Sequence, residues 1–207
     1  MKIKNTLKLR HALAAVAVGV SVLAISACTT TVPRESQTGV EKRDSINERA
    51  DAALKRLYDV APNSRELVSQ AKGVLIFPRV IGGGLVVGVE HGDGVLRVNG
   101  QNKGYYSTSS GSIGLQAGAQ SKAIVMVFRT QEALDKFLAS SGWTAGVDAT
   151  VAVANIGANG ALDLNTIREP IVGFVMTNVG LMAGVSLEGT KINRIDDRGA
   201  AAAKAAQ

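Results

Sequence analysis

The chain has 207 residues, 46% of them hydrophobic and only 4% aromatic, with 23 glycines and a single cysteine. That is enough apolar material for one core, and a lone cysteine excludes an intramolecular disulfide. The formal net charge of +6 comes with interspersed signs rather than the basic tract that nucleic-acid binding needs, so no nucleic acid is expected as a partner.

Lys2, Lys4, Lys8 and Arg10 precede an apolar run from Ala12 to Ile25, interrupted only by Gly19 and Ser21. A basic opening, an apolar stretch of this length and small residues before a cut site read as a signal peptide over residues 1–27. The run is shorter than the roughly 20 apolar residues a membrane-spanning helix needs. Ile25-Ser26-Ala27-Cys28 resembles the bacterial lipobox, which implies cleavage before Cys28, a diacylglyceryl thioether on its sulfur and an N-acyl chain such as palmitate. Buried methylenes contribute roughly 0.8 kcal/mol each, so two or three acyl chains anchor a protein stably. Thr29 follows the cysteine where an aspartate would favour retention. By resemblance to lipoprotein sorting, this points to the outer membrane of a Gram-negative bacterium, facing the periplasm or the cell surface. Cleavage removes four of the 23 basic residues and none of the 17 acidic ones, leaving 19 against 17.

Residues 28–43 read as the lipidated cysteine and a polar, flexible tether. An amphipathic helix is expected over 44–60. Ser45 and Glu48 have capping-box spacing, and Ile46, Ala50, Ala53, Leu54, Leu57 and Tyr58 recur at helical period. A second short helix starts at Asn63, with Glu66 in capping-box position, and ends near Lys72-Gly73. Val74–Phe77 is a strand that stops at Pro78. Leu85–Val89 and Val95–Val98 flank His91-Gly92-Asp93-Gly94, a hairpin-turn signal, and Asn99–Gly104 is another turn. Tyr105–Thr108, Ile113–Gln120 and Ala123–Phe128 are strand-like, with a polar Ser/Gly stretch before Ile113. Thr130 caps a helix through Ala139 that buries Leu134, Phe137 and Leu138. Strand-like pieces follow at Thr150–Ala154, Ala161–Asn165, Ile171–Thr177, Leu181–Leu187 and Lys191–Ile195. The folded body spans 44–198, and residues 199–207 form a frayed or disordered tail.

The pattern Gly-Leu-x-(Ala/Val)-Gly occurs at Gly84–Gly88, Gly114–Gly118 and Gly180–Gly184. In strands, positions i and i+4 face the same side, and two missing side chains let a sheet bend. The expected fold class is α+β: a curved antiparallel sheet or barrel-like core with N-terminal amphipathic helices and one internal helix.

Catalytic chemistry is sparse. His11 leaves with the signal peptide, and His91 reads as a solvated turn histidine. One imidazole without a free thiol does not make a zinc set, and there is no Gly-x-Ser-x-Gly elbow. Ile81-Gly82-Gly83-Gly84 lacks the Gly-Lys-Ser/Thr of a phosphate loop. Asp93, Asp148 and Asp163 lack calcium-loop spacing. No catalytic residue, metal or cofactor is expected.

Lys72–Pro78, Gly82–Gly88, Gly94-Val95-Leu96, Ser112–Gln120, Gly142–Ala154 and Gly180–Gly189 resemble, in order, the signatures of the SYLF domain family, over about residues 45–195. Tyr105-Tyr106 stand where many members have a Trp-Tyr pair. The resemblance implies a non-enzymatic, lipid-binding domain. With the lipobox, it also implies a bacterial lipoprotein branch. Eukaryotic relatives bind phosphoinositide membranes and, in yeast, actin filaments. The expected ligand is therefore an anionic phospholipid or phosphoinositide-type headgroup. Arg49, Lys55 and Arg56 on the first helix are the candidate contacts, with Arg65, Lys72 and Arg79 nearby in sequence. The alternative is a structural envelope lipoprotein that docks another protein through its curved sheet.

Overall fold

The computed structural model describes residues 39–84, 87–113, 118–154, 168–182 and 184–195. The expected signal peptide, Cys28, most of the expected tether, the expected strand at 161–165 and the expected C-terminal tail lie outside the described residues. The chain is α+β, with a strongly curled mixed sheet that forms a half-barrel. Among the described residues nine strands build it in the order β5-β9-β3-β2-β1-β4-β7-β6, with β8 paired to β7. These are β1 (Gly73–Gly84), β2 (Val87–Val98), β3 (Gln101–Ile113), β4 (Gly118–Phe128), β5 (Gly142–Thr144), β6 (Ala152–Val153), β7 (Ile171–Thr177), β8 (Gly180–Leu181) and β9 (Lys191–Arg194). Every pairing is antiparallel except β6 with β7, which is parallel.

Helices cover both faces. On one side lie α1 (Gly39–Val60) and α2 (Ser64–Ser69), which bury Ile46, Ala50, Ala53, Leu57 and Leu67 against Val74, Ile76, Val125, Val127, Val172 and Phe174. On the other, α3 (Gln131–Ala139) packs Leu134 and Phe137 against Leu75, Phe77, Met126 and Phe128. The Phe137 ring lies 5.1 Å from Tyr106, 5.0 Å from Phe128 and 5.7 Å from Trp143, centroid to centroid. Burying a large apolar side chain of this kind stabilises the fold by about 1.5–3 kcal/mol. β7, covered on both faces, therefore reads as the unbroken apolar run Ile171–Met176.

Several expectations are corrected. The first helix begins at Gly39, inside the stretch assigned to the tether, so Ser45 sits within the helix. There its hydroxyl accepts from the Arg49 guanidinium and caps nothing. Asn63 occupies the N-cap position of α2 in helical geometry without a side-chain cap. Leu138 is exposed rather than buried. Of the expected strand at Leu181–Leu187, Leu181 alone lies in a strand among the described residues, in β8 with Gly180, and Gly180 and Gly184 take φ of 140° and 70°. Of the three glycine echoes, this one therefore turns the chain. The other two run through residues outside the described set.

The most consequential correction concerns Pro78. The strand does not stop there but continues to Gly84 through a bulge, where the registers with β2 and β4 both slip between Ile76 and Val80. Proline has no N–H to give a ladder, so a bulge is one of the few places a strand tolerates it. His91-Gly92-Asp93-Gly94 is likewise no turn: it lies inside β2, opposite that bulge. A Cβ on Gly94 would stand 2.3 Å from the Ile76 carbonyl oxygen, and one on Gly92 2.5 Å from that of Arg79. The two glycines are there for close backbone approach. The β2–β3 hairpin turns at Asn99-Gly100 instead, with φ of 51° and 75°, the signature of a type I′ turn.

Candidate anion-binding surface

Because strand side chains alternate, the bulge changes which residues look toward α1. Before it, Val74 and Ile76 pack under the helix. Leu75 and Phe77 belong to the opposite core, and after the bulge Val80, which unbroken alternation would put under the helix, joins them. Arg79 and Ile81 come to the helix side, with Asp93 and His91 opposite them on β2. The helix meets them with Lys42, Ile46 and Arg49, spaced to share one face. Lys42, Arg49, Pro78, Arg79, Ile81, His91 and Asp93 line a cleft of about 230 Å³. Asp93 accepts from Lys42 at 2.8 Å and lies 3.7 Å from the His91 imidazole. Three permanent cations thus face one carboxylate. Beyond the helix the hairpin carries exposed apolar side chains on this same face, Ile81 (47% exposed) and Val89 (63%), placed together by the Ile81–His91 and Gly83–Val89 register.

The helix is fixed over this surface by a polar clamp on its other flank. Asn47 donates to the Tyr105 hydroxyl at 3.0 Å and accepts from Asn102 at 3.0 Å. Arg97 pairs with Asp51.

Of the six cations singled out in the sequence, Arg49 and Arg79 are brought together. Lys55 pairs with Asp59 at 2.9 Å on the exposed side of α1. Arg56 is half-buried, with one terminal nitrogen that lacks a hydrogen-bond partner. Arg65 stacks on the Tyr58 ring at 4.3 Å. Lys72 is exposed, and its backbone N–H donates to Phe128. None of these four lines the cleft. Sequence reasoning missed Lys42, Ile81 and Val89. The signal for Lys42 was its helical spacing from Ile46 and Arg49, hidden by placing the helix start at residue 44.

Among the described residues no group of three or more His, Cys, Asp or Glu side chains could hold a metal ion. No described helix is long and apolar enough to cross a membrane. Residues 109–202 match the family described as Ysc84: Las17-binding protein actin regulator. No curated protein matches the chain.

Proposed function

We propose that this chain, whose residues 109–202 match the Ysc84 (SYLF) family, is a non-enzymatic, lipid-anchored module that reads anionic bilayer surfaces. That family is consistent with lipid or partner binding. The observation that carries the lipid reading is the pairing of Lys42, Arg49 and Arg79 with exposed Ile81 and Val89 on one face. Each Lys or Arg near an anionic surface contributes about 1 kcal/mol, and salt weakens it. The two apolar side chains are placed to enter the headgroup layer beside them. In this reading Cys28 carries the acyl chains, in the outer membrane of a Gram-negative bacterium. Ten residues lie between Cys28 and Gly39, a span of at most about 40 Å even fully extended, so a bilayer holding the anchor lies within reach of the Lys42 end of α1.

Flotation of the unlipidated chain from residue 29 with anionic or neutral vesicles, at two salt concentrations, tests this. Binding to anionic vesicles that declines with salt is the expected outcome, whereas a protein left in the supernatant with every lipid sinks the reading. Mass spectrometry of the mature protein tests the anchor separately: an unmodified Cys28 sulfur removes it.

The description of the matched family as a Las17-binding protein and actin regulator favours a second reading, in which the domain docks a protein partner. The same exposed face would then bind protein with little dependence on salt.

A further inference from the structure

His91 is the only histidine after His11, and the fold places it at the border between the cationic cleft and the exposed apolar pair. We propose that His91 makes the anion-binding surface pH-gated: its protonated imidazole adds a fourth cation to Lys42, Arg49 and Arg79 and tightens the hold on an anionic bilayer as pH falls. The inference rests on the membrane reading above and names the regulation of that same site.

The position follows from the register. His91 stands directly opposite Ile81 on β1. Along β2 it lies two residues from Asp93 and two from Val89, so the four side chains share one face of the sheet. Asp93 lines the cleft, whereas Ile81 and Val89 are exposed beyond it. The imidazole therefore sits where the charged surface gives way to the apolar one, at the level of the headgroups in the membrane reading. Its side chain is 65% exposed and open to a ligand.

Lys42 and Arg49 line the same cleft from α1, Arg79 from β1 and Asp93 from β2. On β3 the residue opposite His91 is the uncharged Ser109, and beyond that stands Lys191 on β9. Glu90, next to His91 in the chain, points to the other face, where Lys122 pairs with it at 2.8 Å. Within the cleft Asp93 accepts from Lys42 at 2.8 Å and lies 3.7 Å from the imidazole Nε2. Histidine is the side chain type that ordinarily changes charge between about pH 5 and 8. Charging it sets four cations against one carboxylate in place of three. Whichever cation Asp93 then holds, one more positive charge is left to face the lipid.

The test is flotation of the unlipidated chain from residue 29, which contains the compact unit Gln37–Gln207 whole and has His91 as its one imidazole. The vesicles are phosphatidylcholine with phosphatidylglycerol, a phosphodiester whose charge is constant over the range used. Binding at about pH 5.5 should exceed that at about pH 7.5 by roughly fivefold, the effect of one charge beside an anionic surface. His91→Gln should bind equally at both, at the weaker level, and His91→Arg equally at both, at the stronger one. The two variants move in opposite directions, which misfolding does not mimic. Linkage supplies a second readout: if protonation favours binding, binding must favour protonation. Calorimetric titration with the same vesicles midway between the two pH values should therefore show proton uptake, as a heat that depends on the buffer, and His91→Gln should abolish it.

Equal wild-type binding at the two pH values overturns the gate and leaves the membrane reading standing. A pH dependence that survives in His91→Gln does the same. A chain that stays in the supernatant at both pH values sinks the membrane reading and the gate with it.

Discussion

Replacing Gly94 by alanine is a severe test of the bulge that builds the cleft. The added methyl carbon would lie 2.3 Å from the Ile76 carbonyl oxygen, 2.5 Å from Phe77 Cδ1 and 3.0 Å from the Ile76 carbonyl carbon. Two of these are backbone atoms of a strand buried on both sides, so neither can swing aside as a flexible side chain would. Overpacking a core typically costs about 1–3 kcal/mol, and contact with fixed backbone places Gly94→Ala at the upper end, about 3 kcal/mol. The same substitution elsewhere calibrates it. At Gly100, which has φ of 75° and open space around it, alanine meets only the left-handed backbone penalty of about 1–2 kcal/mol. At Gly111, with open space and no positive φ, it should be neutral or stabilise by up to about 1 kcal/mol. In urea denaturation followed by circular dichroism, a slope near 2 kcal/mol/M converts the Gly94 effect into a midpoint lowered by about 1.5 M. If Gly94→Ala unfolds within about 0.5 kcal/mol of wild type, the strand is not bulged there, and the turn suggested by Asp93-Gly94 is reinstated.

Thr130 accepts from the Ala133 N–H at 3.2 Å at the start of α3, and Thr130→Ala should cost about 1 kcal/mol in the same assay, with Thr130→Ser close to wild type. Burial raises the Tyr106 hydroxyl above its usual 10.0, partly offset by the Arg194 charge. Its neutral form is favoured in the fold, so this contribution is full below pH 10 and declines as pH rises through the raised value. Tyr106→Phe should therefore flatten the alkaline limb of stability against pH, and an unchanged limb would assign the loss to other groups. Arg49→Gln with Arg79→Gln should weaken flotation on anionic vesicles about thirtyfold, at about 1 kcal/mol for each charge, while Lys55→Gln, whose partner is Asp59, should change it less than twofold.

Where one physical signal dominates, the fold was legible in the sequence. The Ile46–Leu57 stripe, the Thr130 cap and the apolar run Ile171–Met176 each state a period or a cap that tertiary contacts then reinforce. Pro78 and Asp93-Gly94 were misread because proline and glycine carry two meanings, turn and bulge. Only the strand lying opposite decides between them. Nothing local to residues 91–94 records that the carbonyls of Ile76 and Arg79 pass within contact distance.

The site shows the same division, with a further physical cause. Helical periodicity tells which residues share a face, but not which strand that face will meet. Lys42 and Arg43 are neighbours in sequence and about 100° apart around the helix. One therefore joins Arg79 and Asp93 over β1 and β2, while the other lies over the Tyr105 ring. A search for a basic stripe along α1 picks out Lys55 and Arg56, where the charge is densest in sequence. Those side chains are engaged with Asp59 or half-buried. Charge becomes available to a ligand where strands bring cations from different elements together. The Pro78 bulge does this on one flank of the helix, by carrying Arg79 to the helix side.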